Sequence, residues 1–256
     1  MHPVLDIIQN LATTRKKDFS DAVVAEETIE QIQETIVHTA NASNRQSYSV
    51  LVLDKKKAGT LGMPGSHVFV FCVDFHRLNN LALALNRTFD SGYFMQFVTA
   101  VIDVSLLAQS AVIAARSLGV DTFLTNELYH RSVEKSCSEF RLPPKRVFPM
   151  IAVCLGYAKE RPGRKKGRLT SATVFHRNVY REIGADGVQS LIGEYDDPDR
   201  NLTLNSAWKQ KGYFHYLEWF FDEWTPAVGS RKQSGKMLEE LRKRALMDDP
   251  FQPPTE

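Results

Sequence analysis

One stretch restricts the possible folds of this chain more than any other: DVSLLAQSAVIAARSLG, residues 103–119. Its apolar residues run nearly all round a helical wheel, so the helix it forms must be covered on most sides. Such a helix lies at the centre of a domain or at an interface between subunits. It completes a longer helical span over residues 94–118, and Gly119 suits the left-handed position that ends a helix.

The surrounding pattern supplies elements to cover it. Helical spacing recurs over residues 3–12, through Val4, Ile7, Ile8 and Leu11, and over residues 25–39, through Ile29, Ile32, Ile36 and Val37. Glu26 and Glu27 suit the first turn of the second helix. Strands are expected at Tyr48–Leu53, residues 67–73, residues 121–126 and Val147–Gly156, with helices over 75–85 and 127–140. The glycine-rich KKKAGTLGMPGS between the first two strands reads as a loop; its glycines match neither a Rossmann nor a P-loop pattern. The order is α+β, a mixed α/β layer arrangement without regular βαβ alternation. Beyond Gly156 a basic loop, RPGRKKGRL, leads into a helical extension: VFHRNVYREI, GVQSLIGEY, an aromatic helix over 208–224 and a basic amphipathic helix over 231–246. DDPFQPPTE is expected to fray.

Composition narrows the function classes. The chain of 256 residues is 43% hydrophobic and 24% charged, and 32 basic residues against 30 acidic ones leave a formal charge of +2. That balance lacks the basic footprint of a nucleic-acid binder, although the basic segments and the helix over 231–246 keep that reading as a minor alternative. Cys72, Cys137 and Cys154 stand far apart with no CxxC, so neither a zinc site nor a disulfide framework is expected. No signal peptide and no run of roughly 20 apolar residues is evident. The expectation is a soluble, cytoplasmic protein with no metal and no membrane partner.

Catalytic signatures are scarce. There is no GxSxG, no HExxH and no close carboxylate pair, and the seven scattered histidines read as structural or surface residues. If the chain is an enzyme, a cofactor is expected to supply its reactivity. Two basic segments remain, Arg15-Lys16-Lys17 and Arg164, Lys165, Lys166 and Arg168; each alone fits a solvated loop, yet both lie at ends of core elements where they can converge on a phosphate. NASNRQSYSVLVL adds a polar run directly ahead of the first strand, where Asn44 and Gln46 offer amides to a flat heterocycle and a polyol chain. Plain turn chemistry is the alternative for that run.

Four segments in order, TTRKKDF, ANASNRQSYSVLVL, LLAQSAVIAARSLGVDTFLTN and FPMIAVCLGYAKERPGRKKGRL, resemble the FMN-dependent nitroreductase family over most of residues 10–170. The second keeps the Asn and Gln of a Pro-Ser-x-x-Asn-x-Gln-Pro-Trp run as Asn44 and Gln46, with Ser47-Tyr48 replacing Pro-Trp. The fourth keeps Lys-x-Arg-Leu as Lys166 to Leu169, with Ala158 in place of a proline. In the first, Thr13 and Thr14 take the positions of two arginines, Arg15 that of a serine, and Lys17 the last basic position.

The resemblance implies a three-layer fold, a central mainly antiparallel sheet flanked by helices. The FMN-binding core would span residues 1–169 and a helical extension packed on a dimer residues 170–256. It implies a homodimer with FMN sites at the subunit interface. NAD(P)H would reduce the flavin at N5, and a nitroaromatic, quinone or other small acceptor would reoxidise it in a ping-pong cycle. The implied cofactor-binding residues are Thr13, Thr14, Arg15, Lys17, Asn41, Ala42, Asn44, Gln46, Thr125, Asn126, Glu127, Lys166 and Arg168, with no catalytic side chain. Asn126 and Glu127 fall where the family turns backbone N–H groups toward the N5 edge, with Glu127 at a position usually held by glycine. The alternative within the fold is a flavin-binding protein with one specific metabolite as substrate or a mainly FMN-binding role.

Overall fold

The computed structural model describes residues 2–128, 133–160, 165–228 and 231–248. The expected helix over 127–140 falls partly on residues 129–132, and most of the expected frayed tail on 249–256. Both stretches lie outside the described residues, as does Arg164.

The chain divides into two units. The first begins with α1 (Pro3–Gln9), α2 (Glu26–Ile36), β1 (Tyr48–Leu53), α3 (Lys55–Thr60) and β2 (His67–Asp74). It continues through α4 (His76–Ala84), α5 (Phe94–Ser117), β3 (Asp121–Thr125), α6 (Val133–Glu139) and β4 (Val147–Gly156). The second unit, residues 163–234, holds α7 (Ser171–Val174), α8 (Ala185–Asp196), α9 (Ala207–Gln210), α10 (Tyr216–Trp219) and α11 (Thr225–Val228). After it, α12 (Arg231–Lys243) returns the chain to the first unit, where Leu241, Leu246 and Met247 are buried in the core. A helix that spends its apolar face this way is not the free basic helix a nucleic-acid reading needs.

The sheet has the order β1-β2-β4-β3, and every neighbouring pair is antiparallel. β2 is buried along its whole length because alternate residues feed two different cores. Phe69, Phe71 and Val73 face α2 and α5, whereas Val68, Val70 and Cys72 face the layer containing Ala58 of α3 and Leu128. Helices therefore cover both faces. At one end of the sheet Gly65 adopts φ +91, and a Cβ there would meet the Leu155 carbonyl oxygen at 2.5 Å.

At 24 residues, α5 is about 36 Å long, and it packs on α2 and all four strands. Alanines 100, 108, 111 and 115 let it approach the sheet closely, with Val104 and Leu107 between them. Its length and composition alone would suit a membrane span, but here it is the core helix of the first unit. The covering is incomplete: Ile102 is 54% and Leu106 45% exposed on the outer face. Gly119, at φ +78, follows its last turn.

Three expectations are corrected. The glycine-rich connection between β1 and β2 contains α3, started by Asp54, whose carboxylate accepts the Lys57 N–H at 2.7 Å. The segment VFHRNVYREI is not a helix. Only Ser171–Val174 is helical, and Phe175 and Tyr180 lie exposed. The aromatic stretch over 208–224 is broken into α9, α10 and a π-helical turn, Phe220–Trp224, with Gly212 at φ +82 between the first two pieces. Trp208, Tyr216 and Trp219 form the core of the second unit, while Phe214 is 89% exposed.

His215 joins two of these helices. Its Nδ1 lies 2.6 Å from Asp196 at the end of α8, and Asp196 also accepts the Tyr216 N–H at 2.8 Å. The Asp196 hydrogen bond raises the imidazole above its ordinary value of 6.5. The pair's contribution is therefore fully present below about pH 6.5 and is lost as pH rises through the raised value. All three tryptophans lie in this unit, so tryptophan fluorescence, excited selectively at its red edge, reports its unfolding. Its stability is expected to fall across that window in the parent protein and to stay flat in His215→Gln; equal pH profiles would remove the pair as the cause.

Candidate functional site

β3 is an edge strand, and polar residues gather at both of its ends. At its start the Thr14 N–H donates to the Thr122 carbonyl at 3.0 Å, and Thr13 bridges Thr122 in parallel. The chain then makes one 3-10 turn, Lys16–Asp18, held from the other side where Phe19 bridges Ala158 and the Lys159 N–H donates to the Asp18 carbonyl at 2.8 Å. Arg15, Lys16 and Lys17 are left exposed. Thr14 is 1% exposed, and its Oγ1 is buried without a hydrogen-bond partner. An unpaired hydroxyl beside three cations suits an anion that completes the site.

At the far end of β3, the Thr125 hydroxyl accepts the Glu127 N–H at 3.2 Å. Thr122 and Thr125 are about 10 Å apart along the extended strand. The Cys154 thiol on β4 senses both ends: burial pushes it up to about 12, Glu127 adds to the rise and Lys16 opposes it. The basic turn and the Thr125–Asn126–Glu127 turn thus share one edge of the sheet, a cation at one end and a polar turn at the other. That donor set fits a cofactor with a phosphate at one end and a polar ring at the other.

The loop before β1 is strained. Ser43, Asn44 and Gln46 all have φ between +51 and +53, a conformation costing about 1–3 kcal/mol for each non-glycine residue. Asn41 closes the loop by accepting the Gln46 N–H at 3.2 Å, and the Asp103 carboxylate accepts the Ala42 N–H at 2.9 Å. Arg77 donates to the carbonyls of Gln46 and Tyr48, and Arg45 to the Gln96 amide oxygen at 3.2 Å. The Asn44 and Gln46 side chains are exposed and lie 3.4 Å apart. Asp103, Arg77 and Gln96 were not among the residues singled out from sequence. Asp103, an acid in an apolar helix, was the one signal available.

The register separates the two groups. Tyr48 stands level with Val73 and Phe148, whereas Thr122 stands level with Leu155. Three inter-strand steps and about seven residues along the strands put them roughly 25–30 Å apart, at opposite corners of one sheet. Within one chain, Asn44 and Gln46 do not meet the basic turn.

Lys166 and Arg168 belong to the second unit. Asn201 clasps their loop, donating to the Lys165 carbonyl at 2.9 Å and accepting the Lys166 ammonium at 3.3 Å and, through its own carbonyl, the Gly167 N–H at 3.1 Å. Lys166 also donates to the Thr203 carbonyl. Arg168 donates back to the carbonyls of Lys166 and Gly167. A Cβ on Gly167 would sit 1.8 Å from the Arg200 carbonyl oxygen. Gly167→Ala is therefore expected to unseat this loop, seen as faster proteolysis near residue 167; an unchanged cleavage pattern would mean the backbone yields elsewhere.

Solved structures with this architecture include a nitroreductase from Bacillus subtilis, at 21% identity and TM-score 0.78, covering 94% of this chain and 98% of that one. The NADPH:FMN oxidoreductase from Vibrio harveyi, solved with NAD+, aligns at 20% identity and TM-score 0.77 over 96% and 99%. The chain has the nitroreductase fold. Its curated relatives accord with that fold. A Cr(VI) reductase from Pseudomonas sp. (strain G-1) is 28% identical over 96% of both chains. An FMN reductase (NADPH) from Bacillus subtilis (strain 168) is 26% identical over 77% of this chain and 81% of its own. No family model matches the chain.

Proposed function

We propose that the protein is an FMN-dependent NAD(P)H oxidoreductase. It works as a homodimer, each site taking the basic turn of one subunit and the 41–46 loop of the other. The activity rests on relatives named as FMN reductase, nitroreductase and NADPH-dependent oxidoreductase. The shared site rests on one observation: the expected binding groups stand at opposite corners of a single chain's sheet. A second copy supplies the missing corner.

Bound FMN would supply the redox chemistry, taking a hydride from NAD(P)H and passing electrons to a small acceptor such as a quinone or nitroaromatic. The side chains bind and orient. Thr13, Thr14, Arg15 and Lys17 hold the phosphate, with Lys166 and Arg168 adding cations through charge-assisted bonds. Thr125 fixes the turn in which Asn126 and Glu127 line the ring edge. Asn41 and Ala42 shape the loop from which Asn44 and Gln46 present their amides. The three cysteines are free and buried, which suits work in a reducing cytoplasm.

An absorption spectrum of the purified protein tests the reading. Flavin bands and NADPH oxidation driven by added quinone are the expected results. A colourless protein that takes up no FMN on titration would overturn it. Flavin bands without turnover of quinone or nitro acceptors would favour a single dedicated substrate.

A further inference from the structure

Asp103 is a carboxylate in the middle of the most apolar helix of the chain, and it is 2% exposed. Burying a charge there is unfavourable unless it is paired or hydrogen-bonded. Its Oδ1 accepts the Ala42 N–H, and its Oδ2 has no partner. It therefore serves a loop rather than its own helix. Arg77 has the same character on α4. Its guanidinium donates to the carbonyls of Gln46 and Tyr48, where the loop runs into β1. Asp74 steadies it by accepting the Arg77 N–H at 3.2 Å and the Ser49 hydroxyl. Tyr48, whose hydroxyl is buried without a partner, lies within reach of both charges: burial raises its pKa most, Asp103 adds to the rise and Arg77 opposes it.

Between these two anchors the backbone takes three left-handed turns at non-glycine residues. Left to itself such a loop would relax to ordinary φ values. We propose that Asp103 and Arg77 are positioning residues, a two-point clamp that holds residues 41–47 in the strained form in which Asn44 and Gln46 face the flavin site. This rests on the flavin reading above. One charge comes from α5 and grips the loop where it starts; the other comes from α4 and grips it where it runs into β1. Pre-forming the loop spares the cofactor the ordering entropy on binding.

The test uses the full-length apoprotein with Asp103→Asn, Asp103→Ala, Arg77→Lys and Arg77→Met. Hydrogen exchange of peptides covering 41–47 reads the clamp directly, and FMN titration reads its consequence. Arg77→Met and Asp103→Ala are expected to speed exchange in 41–47 with the rest of β1 and β2 protected. FMN affinity should fall about 10- to 100-fold, the weight of one charge-assisted hydrogen bond. Asp103→Asn, which keeps an acceptor, should recover most of both. Should Asp103→Ala not fold, Arg77→Met carries the test, since Arg77 sits on the exposed side of α4. A parent that binds FMN, with Arg77→Met binding it equally well, would overturn the clamp and leave the function standing. Faster exchange with unchanged affinity would overturn it too. A parent that binds no FMN would overturn the flavin reading and the clamp's purpose with it.

Discussion

Replacing Arg168 with alanine is expected to weaken FMN binding about 10- to 100-fold while the fold persists. The side chain is exposed, so its removal opens no cavity. Two things are lost together. One is a cation for the phosphate, and the other is the stitch from the guanidinium to the carbonyls of Lys166 and Gly167 that shapes their loop. Arg168→Lys separates them, because an ammonium keeps the charge without the planar fork. Titration of the apoprotein, followed by quenching of flavin fluorescence, reads the affinity. Unchanged affinity in Arg168→Ala would take this residue out of the site.

The double substitution Ile102→Glu with Leu106→Glu is expected to give a folded monomer that no longer retains FMN. The two residues lie one turn apart on the outer face of α5, opposite Leu107 and Ala111, which face the core. Charges on that outer face leave the first unit's interior untouched. In a dimer that buries the face, two unpaired carboxylates cost several kcal/mol, which weakens association at least ~1000-fold. Sedimentation at micromolar concentration gives the mass, and the absorbance of the sedimenting species gives its flavin content. A parent that sediments as a monomer with FMN bound would contradict the shared site.

Much of the first unit was legible because its segments carry a strong period. Ile29, Ile32 and Ile36 repeat on one face of α2, and the residues of β2 alternate between two cores. Local pattern and tertiary burial agree there. Where they part, the reading failed. VFHRNVYREI has apolar residues at plausible spacing, but Phe175 and Tyr180 are exposed, and a short helix without a buried face does not repay its nucleation. In the aromatic stretch Gly212 and a π-helical turn break the expected single helix, so Tyr216 and Trp219 are buried while Phe214 stays in solvent. Asp54 was the missed signal for α3, an N-cap ahead of a glycine-containing run.

The residue types of the candidate site, basic at 15–17, 165, 166 and 168 and amide-bearing at 41, 44 and 46, are determined by the sequence. So are the strand segments and the apolar length of α5, because propensity and periodicity are local properties. Only the tertiary structure decided which of these groups can meet. The order β1-β2-β4-β3 sends the 41–46 loop and the basic turn to opposite corners. It also brings Asp103 and Arg77 onto a loop 61 and 31 residues away in sequence. Strand order and long-range hydrogen bonds depend on how whole elements pack, and no window of neighbouring residues contains that information.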